Sequence, residues 1–370
     1  MQIEILSDET VSAATDKACA FPLTTRLSDG RIVCVYRQGT TKHSHDGILL
    51  MQLSDSKGQR WSDPEVAFDG RDLNLTVCMG ALCQTGSGSH LLVCDGIVGL
   101  QPGVYMFSEE GQKLPSRVFV RRRQDMDAQW SRPALLEGSD LKKAGIVTKP
   151  IVLPGNEILL SLEYEMEDGL LGTAATFSQD EGQSFSTASI CAEDSTKRVS
   201  WCDARLTALA DGTLLMMLWT FVQKTEETIA VHRCFSHDRG RTWSQPESTG
   251  FVGQITAPVE VRPGMIVAAS NHRTQPEGIR LWCSDNAGQT WETDTSIQMW
   301  DPAQGRTLGE PVEEASSRSP DAGVWEALAT FSYGTPDLVN LGDGSLLLTY
   351  YGTLDELIHV RACRFRIKNA

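Results

Sequence analysis

The densest group of acid–base side chains is the stretch Thr40-Thr41-Lys42-His43-Ser44-His45-Asp46-Gly47. General acid–base chemistry needs a proton donor on one side of a reacting bond and an acceptor or nucleophile on the other. His43 and Asp46 are the candidate donors here. The candidate acceptor lies far away in sequence, at Asp203 in Trp201-Cys202-Asp203-Ala204-Arg205, either as base or as partner of a nucleophile. Arg37, His45, Lys149, Glu163, Trp219, His272, Arg273 and Tyr351 are the expected binding residues, because each closes an apolar run or lies in a loop beside one. Trp219 offers a flat apolar platform for a ring. Other uses of the same residues stay open. Asp46 can cap its own loop. His43 and His45 can be solvated loop residues, and Glu163 can pair with Lys149. His43-Ser44-His45-Asp46 also offers an alternating His-x-His that could meet a third metal ligand. The ten cysteines form no C-x-x-C pair, and the expectation is no metal and no cofactor.

These residues need a scaffold that gathers distant positions, and the sequence supplies one by repetition. An apolar residue, a tight turn with Gly and a β-rich run recur six times. The turn glycines are Gly30, Gly88, Gly155, Gly212, Gly264 and Gly344. A Gly turn between two apolar runs is a hairpin signal. Six copies at about 60 residues each suit four-stranded propeller blades. A second phrase, Ser-x-Asp-x-Gly-x-x-Trp, alternates with the first. It is complete in Ser236-His237-Asp238-Arg239-Gly240-Arg241-Thr242-Trp243. The copy ending at Phe185 has Phe for Trp, the copy ending at Trp291 has Asn286 for Asp, and the copy ending at Trp61 has Ser56 there. A worn copy ends at Trp130. The short acid fixes a turn through backbone N–H groups, Gly permits its positive φ, and the aromatic pins it to the blade. The expected fold is therefore all-β: one six-bladed β-propeller of four-stranded antiparallel blades over residues 1–370. Residues 294–332 read as an insertion between the fifth and sixth hairpins. Ile3-Glu4-Ile5-Leu6 is the expected closing strand, beside His359 to Ile367.

The five boxes resemble the Asp-box (BNR) repeats of the sialidase, or neuraminidase, superfamily. That resemblance covers residues from about 20 to 365 and implies a shallow funnel on the face opposite the turns, holding a sugar-cleaving site. Matched position by position, it implies a diverged site. The family's Arg-Ile-Pro phrase falls on Ala20-Phe21-Pro22. The family's acid/base Asp falls on His43, with Asp46 three residues later. The Glu that polarises the nucleophilic Tyr falls on Asp203. The second Arg of the family's carboxylate clamp falls on Trp219 and the third on Arg273. The Tyr falls on Thr335, with Tyr333 two residues away. With two of three clamp arginines replaced, the resemblance implies a carbohydrate-active enzyme, an exo-acting glycoside hydrolase, that is not a standard three-arginine sialidase. The alternatives are a lyase acting on uronic acids and a non-catalytic carbohydrate-binding propeller.

Bulk properties narrow the partners. A net charge of -15 argues against nucleic acid and against anionic membranes. It leaves room for a small-molecule or oligosaccharide substrate in a local basic pocket. The N-terminal Met1-Gln2-Ile3-Glu4 shows no basic or apolar leader pattern. Together with scattered cysteines in apolar runs, this predicts a reduced, cytoplasmic chain.

Overall fold

A computed structural model of the chain describes residues 1–12, 16–104, 114–136, 141, 143–166, 169–313 and 331–368. Short runs with alternating or fully buried apolar residues form strands, as their β-branched and aromatic content favours. A 3-10 turn at Arg71–Leu73 is the one helical piece among the described residues. Among the described residues no helix is long and apolar enough to cross a membrane.

Six antiparallel sheets form the blades of a β-propeller. The innermost strands are Ala18–Arg26, Leu75–Gln84, the pair Gly145–Ile146 and Ile151–Val152, Val199–Ala208, Thr256–Arg262 and Tyr333–Asn340. The second strands are Ile32–Gly39, His90–Val98, Ile158–Glu165, Leu214–Val222, Met265–His272 and Leu346–Leu354. Each hairpin between them turns at one of the six predicted glycines, all at φ between 81° and 92°, where a side chain would be strained.

The ring closes across the chain ends. Ile3–Thr10 lies antiparallel to Leu357–Ile367, from Ile3 opposite Ile367 to Thr10 opposite Arg361. The expected closing strand is therefore the fourth strand of blade 6. Blade 5 carries a fifth strand: Thr295–Asp301 is its fourth and Arg306–Glu313 its added edge. The added edge leans on the closing strand, where Thr307 Oγ1 donates to Asp8 Oδ2 at 2.8 Å. The first part of the 294–332 stretch is thus blade structure, and 314–330 lie outside the described residues.

The Asp boxes are clamps between blades. In the complete copy, Asp238 Oδ1 accepts from Thr242 N and Ser236 Oγ, both at 2.8 Å. The box glycines Gly58, Gly182, Gly240 and Gly288 press on Leu347, Leu91, Leu159 and Leu215, so closely that an added Cβ would lie within 3.1 Å of the leucine. Each leucine is the second residue of the second strand in the preceding blade. One local phrase therefore repeats one inter-blade contact.

Candidate functional site

Four innermost strands carry a bulge just inside their start, and in three of them, on blades 1, 4 and 6, the bulge bends the backbone the same way. The pairing slips between Ala20 and Leu23, between Cys202 and Arg205, and between Gly334 and Asp337. Each slip contains a non-glycine residue at positive φ: Phe21 at 58°, Asp203 at 47° and Thr335 at 48°. Left-handed backbone at such residues costs energy and is held in place by its surroundings. The three bulges mark one end of the channel, on blades 1, 4 and 6.

Phe21 is the hub of an aromatic group. Its ring lies 5.3 Å from that of His43 and 5.6 Å, edge-on, from that of Tyr351. Tyr351 stands on the second strand of blade 6, opposite Gly334. A Cβ at Gly334 would come within 2.9 Å of the Tyr351 hydroxyl, so the missing side chain makes room for the phenol. Burial raises the Tyr351 hydroxyl above its ordinary pKa; the hydrogen-bonded Arg273 opposes this and the charge of Asp203 adds to it. The phenol thus feels both a cation and a carboxylate. Arg273 stacks on Phe331 at 3.8 Å and Tyr333 at 3.9 Å, and donates to Tyr333 O at 2.6 Å.

Asp203 meets Glu163 rather than standing apart. Its backbone N–H donates to Glu163 Oε2 at 2.9 Å. Carboxylate oxygens of both residues and Cys202 Sγ lie within 4.8 Å of one another. The thiol is buried, donates to Trp219 O at 3.7 Å and is raised well above its usual pKa, chiefly by burial.

His43, Glu163, Asp203, Arg273 and Tyr351 are thus linked around Phe21. Other expected residues are elsewhere. Arg37 is fully buried, and its guanidinium donates to Val77 O at 3.0 Å, Thr41 O at 2.9 Å and Ser44 O. It braces the loop from beneath instead of facing a ligand. Trp219 is no open platform. It packs with Leu171, Cys202 and Phe221, and its indole N–H reaches Thr228 Oγ1 at 3.3 Å. His272 is buried with Nδ1 at 3.2 Å from Val252 O and Nε2 at 2.6 Å from Thr274 Oγ1. Lys149 does not pair with Glu163; it donates to both Asp337 oxygens at 3.0 and 2.9 Å and to Thr24 O at 2.9 Å, tying blades 3, 6 and 1 across the channel. His45 is exposed.

Asp46 caps its loop. It accepts from Thr40 N at 3.0 Å and from the Thr40 hydroxyl at 2.8 Å, and it also holds the Ser44 hydroxyl. Burial alone would raise its carboxyl, but these bonds outweigh it and hold the pKa at about 2. A group so acidic holds no proton to donate near neutrality. Of the two expected donors, Asp46 is thus tied into its own loop, while His43 lies against the Phe21 ring.

Lys42 was not among the expected residues. Its ammonium donates to Phe331 O at 2.6 Å and lies 5.7 Å from the Tyr351 ring. Burial, then the charge of Arg273, pushes its pKa down to about 7. It sits beside His43 in the loop, but no sequence pattern marks which loop side chain turns inward.

The fold and these repeats define a class, the BNR propeller of the sialidase-like kind. Residues 30–348 match the family model of the BNR repeat-like domain, and the chain belongs to that family. No curated protein matches. Among solved structures, the chain is similar to a Dyadobacter fermentans protein of unknown function, with 18% identity, 99% of this chain and 100% of that one covered, and a TM-score of 0.72. It is similar to a Hadza microbial sialidase at 13% identity and TM-score 0.69, covering 94% of this chain but only 65% of that one. An intramolecular trans-sialidase from Ruminococcus gnavus matches at 13% identity and TM-score 0.62, over 99% of this chain and 97% of that one. At these identities the likeness shows the fold.

Proposed function

We propose that the protein is an exo-acting glycoside hydrolase of the sialidase-like kind, with Tyr351 as nucleophile, Asp203 as its base and His43 as proton donor. The observation that carries this reading is the setting of Tyr351, a buried phenol over Gly334 that feels both the cation of Arg273 and the carboxylate of Asp203. Carboxylate-assisted attack by a tyrosine is one recognised solution to glycoside cleavage. Asp203 takes the phenolic proton as Oη bonds to the anomeric carbon. The bond from that carbon to the leaving oxygen breaks, and protonated His43 supplies the proton to that oxygen. Water gives one proton to the now neutral His43 as its oxygen bonds to the anomeric carbon and displaces the phenol, and the proton held by Asp203 returns to Oη, so both groups end as they began. Arg273 and Lys42 stabilise the charge that develops on the phenol oxygen. The ten free thiols support a reducing, cytoplasmic setting.

A second reading, sugar binding without turnover, is favoured by the locking of Asp46 in its cap, which removes one of two donors. The test is a screen of aryl glycosides and uronic-acid oligosaccharides, read for new reducing ends and for unsaturated product. The hydrolase reading expects reducing ends, with Tyr351→Phe and Asp203→Asn each lowering kcat at least about a hundredfold. Ultraviolet-absorbing product would replace hydrolysis with elimination. Binding without turnover, unchanged in Asp203→Asn, would leave a binding propeller.

A further inference from the structure

Two residues beyond Asp203, on the same innermost strand of blade 4, Arg205 is sealed inside the channel at 1% exposure. None of its three guanidinium nitrogens has a hydrogen-bond partner among the described residues. The opposing charges of Asp337 and Asp203 act on it through space, while burial lowers its own pKa. Asp337 is already bonded to Lys149 and to Thr24 N at 2.8 Å. A buried, unbonded cation costs several kcal/mol, so a fold keeps one only where its field does something.

Besides Asp337, that field reaches Asp203, one member of an acidic pair at the top of the strand. Asp203 and Glu163 bring carboxylate oxygens within 4.8 Å in a half-buried site. Two carboxylates at that distance resist joint ionisation unless a cation offsets them. Among the groups facing Asp203 are Glu163 from blade 3, Cys202 and Arg205 from its own strand, and Tyr351 from blade 6. We infer that Arg205 is a positioning residue, the buried counter-charge that lets Glu163 and Asp203 be ionised together. Its role in turnover rests on the reading of Asp203 as base; its effect on the pair does not.

The test is a titration of the ligand-free protein. Aspartate carboxyl carbons are labelled with 13C, and the Asp203 resonance is assigned by its loss in Asp203→Asn. In Arg205→Met the ionisation midpoint reported by Asp203 should rise by about one unit or more, the usual reach of a close opposite charge. Arg205→Lys, which keeps the charge, should restore most of the wild-type midpoint. Arg205→Gln provides a second neutral variant if the Met variant does not fold. If a substrate is in hand, the acid limb of the kcat/KM profile should move up in parallel, while Tm stays equal or rises because a buried charge is gone. An Asp203 titration that is the same in the neutral variants and the wild type overturns the inference, even if the protein hydrolyses sugars. A shifted titration in a protein without turnover supports it and removes only the hydrolase reading.

Discussion

At the scale of single residues, the site depends on which groups are allowed to titrate. Asp46 is ionised in the folded chain at a pH where an ordinary aspartate has begun to take up a proton, because its pKa is about 2 against a usual 3.8. The folded state therefore holds that proton less tightly than the unfolded state. The resulting stabilisation is complete above the ordinary carboxylate range and fades as the pH falls through 2. Asp46→Ala should lower the unfolding free energy by about 1 kcal/mol at pH 7, the typical worth of a capping side chain. Denaturant melts should show the gap closing between about pH 4 and pH 2, the interval between the two pKa values. A gap independent of pH would mean that the carboxylate bonds to Thr40 and Ser44 do not hold the loop. Asp203, Arg273, Tyr351, Glu163 and His43 were legible in the sequence because each lies at a strand end or in the first long loop. Lys42 was not, since a loop's inward side chain is chosen by packing that only the assembled ring provides.

Strands and turns explain both what sequence reading recovers and what it loses. The hairpin glycines and Asp boxes are local chemistry, and local chemistry is readable. The direction of a side chain at a strand end is not, because one extra residue in a bulge sends every later side chain to the other face. The bulge between Cys202 and Arg205 lies directly across from the end of the second strand, where Cys202 pairs with Trp219. Trp219 there turns into the packing between blades 3 and 4. A substitution in one box makes a sharper point. Trp61, Trp243 and Trp291 each donate their indole N–H to the box's own glycine carbonyl, at 3.1, 3.1 and 3.2 Å. The Gly288 carbonyl also takes a bond from Arg233 Nε of blade 4, at 2.6 Å; Phe185 has no N–H to give, so at Gly182 the matching bond from Arg122 of blade 2, at 2.8 Å, acts without an indole partner. Arg122→Ala should therefore cost about 1 kcal/mol, the net worth of one such bond. Adding Phe185→Trp should recover most of that loss, which a double-mutant cycle of denaturant melts measures. Strictly additive effects would show that the two donors are not alternatives.

The whole ring is held by one seam that joins its ends. Removing residues 1–10 would strip blade 6 of its fourth strand and the added edge of blade 5 of its support at Asp8. At about 1 kcal/mol for each lost ladder bond, thermal unfolding should come at least about 10 °C lower. An unchanged melting temperature would show that the seam contributes nothing. The seam also sets an order in time. Of the described strands, Ile3–Thr10 leaves the ribosome first, and its partner Leu357–Ile367 leaves last. Blades 1 to 5 can form as they emerge, since domains and their parts fold from the N-terminus during synthesis. The first strand must meanwhile wait with its hydrogen-bonding edge unmatched, and such an edge invites pairing with another chain. A nascent chain of this protein is therefore most open to mispairing during the roughly 20–70 seconds before its final strand appears, at about 5–20 residues per second. A chaperone that shields the first ten residues would protect the product without touching any finished blade.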